Sequence, residues 1–276
     1  MSNKNVKMYV ITHSPDDIIN IESDEMYTPL FVGRDGKDNL GFTSDDSGDN
    51  ISSRNPDYCE LTGLYWMWKN SNADILGLCH YRRYFKNKGH KIKKGEIEEY
   101  LKDYDIILPK KKELIKKSLF ENYKGTYFID VLNTTREIIK EKYPDYLKDY
   151  DKVIHGSSFS NFNMFIMSKE LMDKYCDWLF NIIIELENRI NLQTIPRILG
   201  LISESILNVW VEHNKLKVKG LDIKYIGTFL NFRMALTNNR ILVGIYRFLY
   251  FKVLDEEKRV KLGHFIDGLF FNKLIK

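Results

Sequence analysis

The sequence predicts an α/β protein with a largely parallel central sheet flanked by helices. Two observations support this class. Short apolar runs of strand length, at residues 6–12, 27–32 and 75–79, alternate with longer stretches whose apolar residues recur at helical spacing. The run at 75–79 is long enough for one buried strand and stops abruptly at polar residues. Strands of open α/β sheets end in this way where they reach a ligand crevice.

The composition is that of a globular protein. The 276 residues are 43% hydrophobic, which is enough for a large core, and the net charge is +4. Such a small charge does not identify a nucleic-acid-binding protein, so nucleic acid is not an expected partner. The three cysteines are widely spaced and form neither a disulfide framework nor a zinc motif. Since no signal peptide or apolar run of transmembrane length is found, we expect a cytoplasmic protein.

The segment HYRRYF directly after the run at 75–79 is the first candidate binding site. His80, Arg82 and Arg83 place three potential cations at the carboxyl end of a buried strand. Two adjacent guanidiniums suit a bidentate anion such as a phosphate. Basic clusters are also common on solvated surfaces, and the residue types alone support both interpretations equally.

A long acidic loop follows the second apolar run. Residues 33–58 are rich in glycine and include Asp45, Asp46 and Asp49. Loops of this length in a compact domain are usually functional or disordered. The three carboxylates could hold a divalent cation, although their spacing does not match an EF-hand. Turns in which Asp, Asn and Ser cap backbone groups are the alternative interpretation.

Most of the remaining chain has the periodicity of helices. One helix is predicted from Asn55 to Asn70, with Glu60 near its apolar face. Further helices are predicted at 95–102, 114–123 and 131–142, after Ser168 and after Pro196, and strands at 104–108, 159–167 and 218–226.

Glu204 is the most unusual residue of the helix that follows Pro196. It lies on or beside an apolar stripe that includes Leu201 and Leu207. A carboxylate in such a position tends to have a raised pKa and is a candidate general base. A buried glutamate paired with an arginine such as Arg197 is the equally supported alternative.

Five strings in this order resemble a family of bacterial capsular and exopolysaccharide glycosyltransferases that includes β-1,3-galactofuranosyltransferases. The strings are DDSGDNIS, NPDYCELTGLYWMWKN, GLCHYRRYF, NFNMFIMSKEL and RILGLISESILNVWV. The order of elements also resembles the GT-A fold, a Rossmann-type nucleotide-sugar-binding domain. In that fold a helix leads into a strand that usually ends in Asp-x-Asp, which holds a metal. Here His80, Tyr81 and Arg82 stand in that place.

The resemblance implies a transferase, specifically a glycosyltransferase of the hexosyltransferase type. The implied donor is a UDP-sugar such as UDP-galactofuranose. The implied acceptor is a hydroxyl of a lipid-linked glycan in capsule or other cell-surface polysaccharide biosynthesis, and the implied stereochemistry is inversion. The missing Asp-x-Asp equally motivates the alternative of a catalytically inactive nucleotide-sugar-binding or scaffold protein.

The same resemblance assigns roles to the candidate residues. One carboxylate must deprotonate the acceptor, and the candidates are Glu204, Asp130 and Asp49. The donor-binding residues are expected to be His80, Arg82 and Arg83 at the diphosphate, Thr12, His13 and Glu60 at the nucleoside, and Asn163 at the start of the later strand–helix unit.

Cationic side chains in place of Asp-x-Asp would stabilise the charge that grows on the leaving diphosphate. We therefore expect that no metal is required as a cofactor. Because Asp45, Asp46 and Asp49 remain available as ligands, a divalent ion such as Mn²⁺ or Mg²⁺ is the alternative.

The chain is expected to divide into a GT-A-like domain at residues 1–235 and a basic amphipathic helical C-terminal region at residues 236–276. From Arg240 onward there are eight Lys and Arg residues against four Asp and Glu. Such a tail either lies on an anionic membrane surface or packs as a closing helix. We expect peripheral contact with the inner face of the plasma membrane, where a lipid-linked acceptor would lie.

Overall fold

The structure is a computed structural model that describes residues 4–14, 17, 21, 25–38, 41–114, 118–123, 126–193 and 197–226. The helical tail predicted at residues 236–276 lies outside these residues, and so does the predicted domain boundary at residue 235.

Strands and helices alternate along the chain, which confirms the α/β class. The strands are β1 (Val6–Thr12), β2 (Tyr27–Phe31), β3 (Ile75–His80), β4 (Arg83–Asn87), β5 (His90–Lys91), β6 (Ile106–Pro109), β7 (Lys112–Glu113), β8 (Ser158–Phe159), β9 (Phe165–Ser168) and β10 (Val218–Tyr225). The helices are α1 (Asn55–Tyr58), α2 (Leu61–Asn70), α3 (Lys94–Asp103), α4 (Leu119–Tyr123), α5 (Phe128–Lys142), α6 (Leu147–Ile154), α7 (Lys169–Arg189) and α8 (Ile198–His213).

The main sheet is mixed, with the strand order β2-β1-β3-β9-β6-β10-β4-β5. The parallel pairs are β1 with β2, β1 with β3, and β6 with β10. Strands β9 and β4 run antiparallel to all of their neighbours. Strand β4 also pairs with β3 through His80 and Arg83, which closes β3, β9, β6, β10 and β4 into a barrel-like ring.

The prediction of a largely parallel, Rossmann-type sheet is therefore wrong. The reason lies partly in the length of one connection. Only Tyr81 and Arg82 separate β3 from β4, and two residues can form a hairpin but not the crossover that a parallel neighbour requires. The HYRRYF segment is thus a hairpin and not simply the polar end of a strand.

The two inner strands that lead to the candidate residues are buried on both faces. Tyr9 and Ile11 of β1 belong to a core shared with α2, α5, α7 and α8. Met8 and Val10 of the same strand belong to a second core, which includes Ile97 of α3. Because both faces are packed, β1 and its neighbour β3 give residues at their carboxyl ends a rigid support.

Two predicted elements are interrupted. The helix predicted from Asn55 to Asn70 breaks at Cys59, whose φ of 54° and ψ of −127° end α1 and turn the chain before Glu60. The strand predicted at 159–167 divides into β8 and β9, which belong to different sheets. Between them lie Phe162 and Asn163, with φ angles of 79° and 51°. Both interruptions lie next to candidate site residues.

Candidate functional site

The carboxyl ends of β1 and β3 carry the first candidate residues. His13 directly follows β1 and His80 ends β3, and the two strands are paired in parallel. Thr12, the last residue of β1, is buried. Its hydroxyl lies 3.3 Å from the Asp17 carboxylate. This contact connects the end of β1 to the loop that follows it.

His80 is a neutral side chain at physiological pH. Its Nε2 donates a hydrogen bond to the carbonyl oxygen of Phe162, at 2.7 Å. Burial lowers the pKa of His80 to about 3, and the positive charge of Arg83 lowers it further. The ring therefore positions the segment at Phe162 and does not supply the positive charge that the sequence analysis considered for it.

The two adjacent arginines have different surroundings. Arg82 is exposed in the turn between β3 and β4, and its guanidinium lies 4.7 Å from the centre of the Tyr81 ring. Arg83 begins β4, and its guanidinium lies 4.6 Å from the centre of the Phe162 ring. In the described part of the chain the buried Nε of Arg83 has no hydrogen-bond partner. Since buried donors are normally paired, Arg83 is the arginine placed to receive an anion.

Asn163 connects the segment between β8 and β9 to α8 and to Glu60. Its Nδ2 lies 2.6 Å from Oε1 of Glu60 and 2.6 Å from Oγ of Ser203. Its left-handed backbone is one that asparagine adopts more readily than most residues. A charge-assisted hydrogen bond of this kind fixes the orientation of the Glu60 carboxylate.

Glu204, in the middle of α8, is a largely buried carboxylate. Its Oε2 accepts a hydrogen bond from the backbone N–H of Phe162 at 2.9 Å. Burial raises the pKa of Glu204 to about 7, and the charge of Glu60 contributes to the rise, whereas the Phe162 hydrogen bond and Arg83 oppose it. The pKa of Glu60 is also raised by burial. The sequence expectation of a carboxylate with a raised pKa on this helix is confirmed.

We call this group the central cluster. Its members are His13, Glu60, His80, Arg83, Asn163 and Glu204.

Arg197 is not the cation that acts on Glu204. Its Nε lies 3.1 Å from Sγ of Cys59. Its positive charge lowers the pKa of Glu60 against the effect of burial, and it reinforces the lowering that burial produces in His13. The arginine whose charge reaches Glu204 is Arg83.

Backbone strain is concentrated at this cluster. Six non-glycine residues of the described chain have positive φ, and four of them are Cys59, Phe162, Asn163 and Arg197. Each of the four makes a hydrogen bond within or beside the cluster. Residues held in such conformations cost free energy and occur mainly at functional sites. The strain therefore supports a functional role independently of the charges.

Two predicted carboxylates lie apart from the cluster. Asp49 accepts a hydrogen bond from the hydroxyl of Tyr65 at 3.1 Å, in the second half of α2, whereas Glu60 precedes that helix. Asp130 is exposed in the first turn of α5. Within the described ranges neither side chain has a hydrogen bond or ion pair with the central cluster. Their proposed role as catalytic base stays a prediction, and the geometry favours Glu204.

The acidic loop is organised by Asp45. This buried carboxylate accepts hydrogen bonds from the backbone N–H of Gly33 at 3.0 Å and from the hydroxyl of Ser52. The Asp46 and Asp49 side chains bond to other partners. Among the residues that the structure describes, no group of three or more His, Cys, Asp or Glu is placed to hold a metal ion. Asp45 thus fits the alternative interpretation of a carboxylate that caps backbone groups.

Sequence reasoning missed two residues beside Arg83. Tyr225 lies opposite Arg83 in the register of β4 and β10. Nζ of Lys112 lies 3.2 Å from the Tyr225 hydroxyl. Lys112 belongs to a lysine run whose first interpretation was a solvated loop, and no sequence pattern singles out Tyr225. Their proximity arises from strand pairing between distant segments.

None of the helices in the described ranges has both the length and the apolar character needed to cross a bilayer.

Comparisons with known proteins agree with this fold. The profile of a family described as a domain of unknown function, DUF4422, matches residues 7–215. A search of curated proteins finds no match. Among solved structures, the apo structure of the WbbM bifunctional glycosyltransferase matches with a TM-score of 0.71 and 29% sequence identity. The match covers 81% of this chain and 46% of that one, so this chain corresponds to less than half of that protein.

Proposed function

The chain belongs to the DUF4422 family, and we propose that it is a glycosyltransferase that uses a nucleoside diphosphate sugar as donor. The observation that carries the proposal is the central cluster. There, Glu204, with a pKa of about 7, lies within electrostatic reach of Arg83, whose buried Nε lacks a partner in the described residues. The likeness to a bifunctional glycosyltransferase supports the reaction class.

The finer assignment is a UDP-sugar donor, with UDP-galactofuranose as the first candidate. The proposed acceptor is a hydroxyl of a lipid-linked glycan in the synthesis of bacterial capsule or another surface polysaccharide. These proposals rest on the resemblance of HYRRYF and the neighbouring strings to β-1,3-galactofuranosyltransferases. We interpret the mixed sheet as a variant of the GT-A fold.

Glu204 is the proposed general base of an inverting transfer. The acceptor hydroxyl gives its proton to the Glu204 carboxylate as its oxygen forms a bond to the anomeric carbon. The bond between that carbon and the β-phosphate oxygen breaks on the opposite face, and UDP leaves with the electron pair. A carboxylate whose pKa is near the working pH is a stronger base than an ordinary glutamate and is still ionised often enough to act.

Arg83 is the proposed stabiliser of the leaving group. Negative charge grows on the β-phosphate oxygen as the sugar departs, and a fixed guanidinium in a partly buried place stabilises it strongly. Its unpaired Nε leaves a donor free for a phosphate oxygen. Because an arginine can take over this electrostatic role, we propose that the enzyme requires no metal ion, with Mn²⁺ or Mg²⁺ as the alternative.

The other members of the cluster hold these two groups and the nucleoside. The neutral His80 ring and the Glu204 carboxylate both bond to the backbone of Phe162, so the base is fixed from two directions. Glu60, oriented by Asn163, is proposed to accept a hydrogen bond from a ligand hydroxyl. Thr12 and His13 are proposed to line the nucleoside.

The decisive test measures UDP binding and UDP release on the purified chain. UDP should raise the thermal midpoint of unfolding, and a UDP-sugar should release UDP with kcat/KM rising as pH rises through about 7, as Glu204 loses its proton. Glu204→Gln should keep UDP binding and lose about 10²- to 10⁴-fold in turnover. The absence of any UDP effect on the thermal midpoint, with or without added metal, would refute the proposal. UDP binding without release from any UDP-sugar would favour the inactive binding protein.

The proposed place of action is the cytoplasmic face of the plasma membrane, where residues 236–276 would supply the peripheral contact. Flotation of the full-length chain with vesicles that contain anionic lipid tests this. Recovery of the protein only in the bottom fraction, at low salt, would contradict it.

A further inference from the structure

We infer that Lys112 is the second cation of the donor site: together with Arg83, and held by Tyr225, it binds the diphosphate of the nucleotide sugar. This inference rests on the proposed function and extends its site to β7 and β10.

The geometry joins the two cations through a pair of aromatic rings. Nζ of Lys112 lies 3.2 Å from the hydroxyl of Tyr225 and 5.6 Å from the centre of its ring. The ring of Tyr225 meets that of Phe162 edge to face, with centres 6.5 Å apart. The guanidinium of Arg83 lies 4.6 Å from the centre of the Phe162 ring. One cation therefore lies beside each ring of the pair.

The charges around Lys112 and Arg83 are not balanced within the described structure. Burial lowers the pKa of Lys112, and the positive charge of Arg83 lowers it further. The carboxylate that opposes this effect, Asp222, forms an ion pair with Lys110 at 3.1 Å. Arg83 acts electrostatically on both carboxylates of the central cluster, but among the described residues it has no hydrogen bond or ion pair with either. Two partly buried like charges side by side suit a ligand with more than one negative charge.

A diphosphate fits the donors that these side chains offer. Lys112 is a compact charge with three N–H donors, and Arg83 presents a planar fork, so each can serve one phosphoryl group. Burial raises the pKa of Tyr225 to about 12, so its hydroxyl keeps its proton. While it accepts a hydrogen bond from Lys112, this hydroxyl can donate to a phosphate oxygen. The leaving group would then lie between β4, β7 and β10.

The test compares two lysines that lie two residues apart. Lys112→Gln and Lys110→Gln remove the same charge from the same segment, but Lys110 is an exposed residue paired with Asp222. Titration calorimetry with UDP and with uridine measures the two affinities for wild type and each variant. We expect Lys112→Gln to weaken UDP binding by about tenfold to a hundredfold, as for a lost hydrogen bond to a charged group. Uridine binding should be unchanged, and Lys110→Gln should bind UDP within about twofold of wild type.

Three further measurements separate the possible results. Lys112→Arg keeps the charge and should keep UDP affinity within about fivefold, which also covers the case in which Lys112→Gln fails to fold. If Lys112→Gln binds UDP like Lys110→Gln while Arg83→Gln binds weakly, the inference is overturned and the proposed function stands. An equal loss of UDP and uridine affinity in Lys112→Gln would also overturn it. If wild type binds no UDP, both the inference and the proposed function fail.

Discussion

Replacing Glu204 with glutamine should stabilise the folded protein at mildly alkaline pH, in the same variant that loses activity. The Glu204 carboxylate is largely buried and accepts a hydrogen bond from the Phe162 N–H. Glutamine has nearly the same shape, and its amide oxygen can accept that hydrogen bond. The substitution therefore removes a buried negative charge and leaves the packing of α8 nearly unchanged.

The pKa of Glu204 sets the magnitude of this effect. Burial raises the pKa from 4.5 to about 7. Because the folded state binds this proton more tightly than the unfolded state, the resulting stability is fully present below about pH 4.5 and is lost as pH rises through about 7. At 1.36 kcal/mol per pKa unit, wild type at pH 8 has lost about 3 kcal/mol from this group, and partial solvent exposure makes that an upper value. Glu204→Gln has no such loss.

Urea unfolding at pH 5 and pH 8 measures the difference. The free energy of unfolding of Glu204→Gln, minus that of wild type, should increase by up to about 3 kcal/mol between the two pH values. Glu98→Gln, a substitution of the same type in α3, should show a difference that changes by less than about 0.5 kcal/mol. A difference for Glu204→Gln that is flat with pH, or that decreases, would show that the folded protein ionises Glu204 without cost. The choice of Glu204 as base would then lose its physical reason.

Three other outcomes are expected. EDTA should leave UDP binding and turnover unchanged, whereas a loss that Mn²⁺ or Mg²⁺ restores would show that the cations of the chain do not replace a metal. Asn163→Asp should lower stability by about 1–3 kcal/mol and reduce turnover, because it replaces the N–H donor 2.6 Å from Glu60 with a second carboxylate; unchanged thermal unfolding would contradict this. Gly200→Ala should cost about 1–3 kcal/mol, because a Cβ there would lie 2.9 Å from Cβ of Cys59 and would push α8 from the strained turn; an unaltered thermal midpoint would show that the turn yields easily.

The main elements could be predicted because their signals are local. Ser168 caps α7 as expected, with its hydroxyl accepting a hydrogen bond from the N–H of Leu171. Glu204 could be selected because its place relative to the apolar stripe of α8 is fixed by helical periodicity. His80 and Arg83 could be selected because they follow a buried strand directly.

The interruptions at Cys59 and at Phe162–Asn163 had no such signal. Neither cysteine nor phenylalanine favours positive φ, so their residue types do not announce a break. The turn at Cys59 exists where Gly200 of α8 packs closely against it and Arg197 bonds to its sulfur. These contacts are made between segments far apart in the chain, and no window of sequence contains both partners.

The sequence by itself determined the helices, most of the strands and the identity of the ionisable residues that meet at the carboxyl ends of β1 and β3. Tertiary structure decided what those residues are chemically. It made His80 neutral, selected Arg83 over Arg82, brought Lys112 and Tyr225 to the site, and left Asp49 and Asp130 outside the cluster. The physical reason is that periodicity is a property of neighbouring residues, whereas a pKa depends on burial and on charges from distant segments. Asn163 and Glu60, which lie 103 residues apart and share a hydrogen bond, are an example.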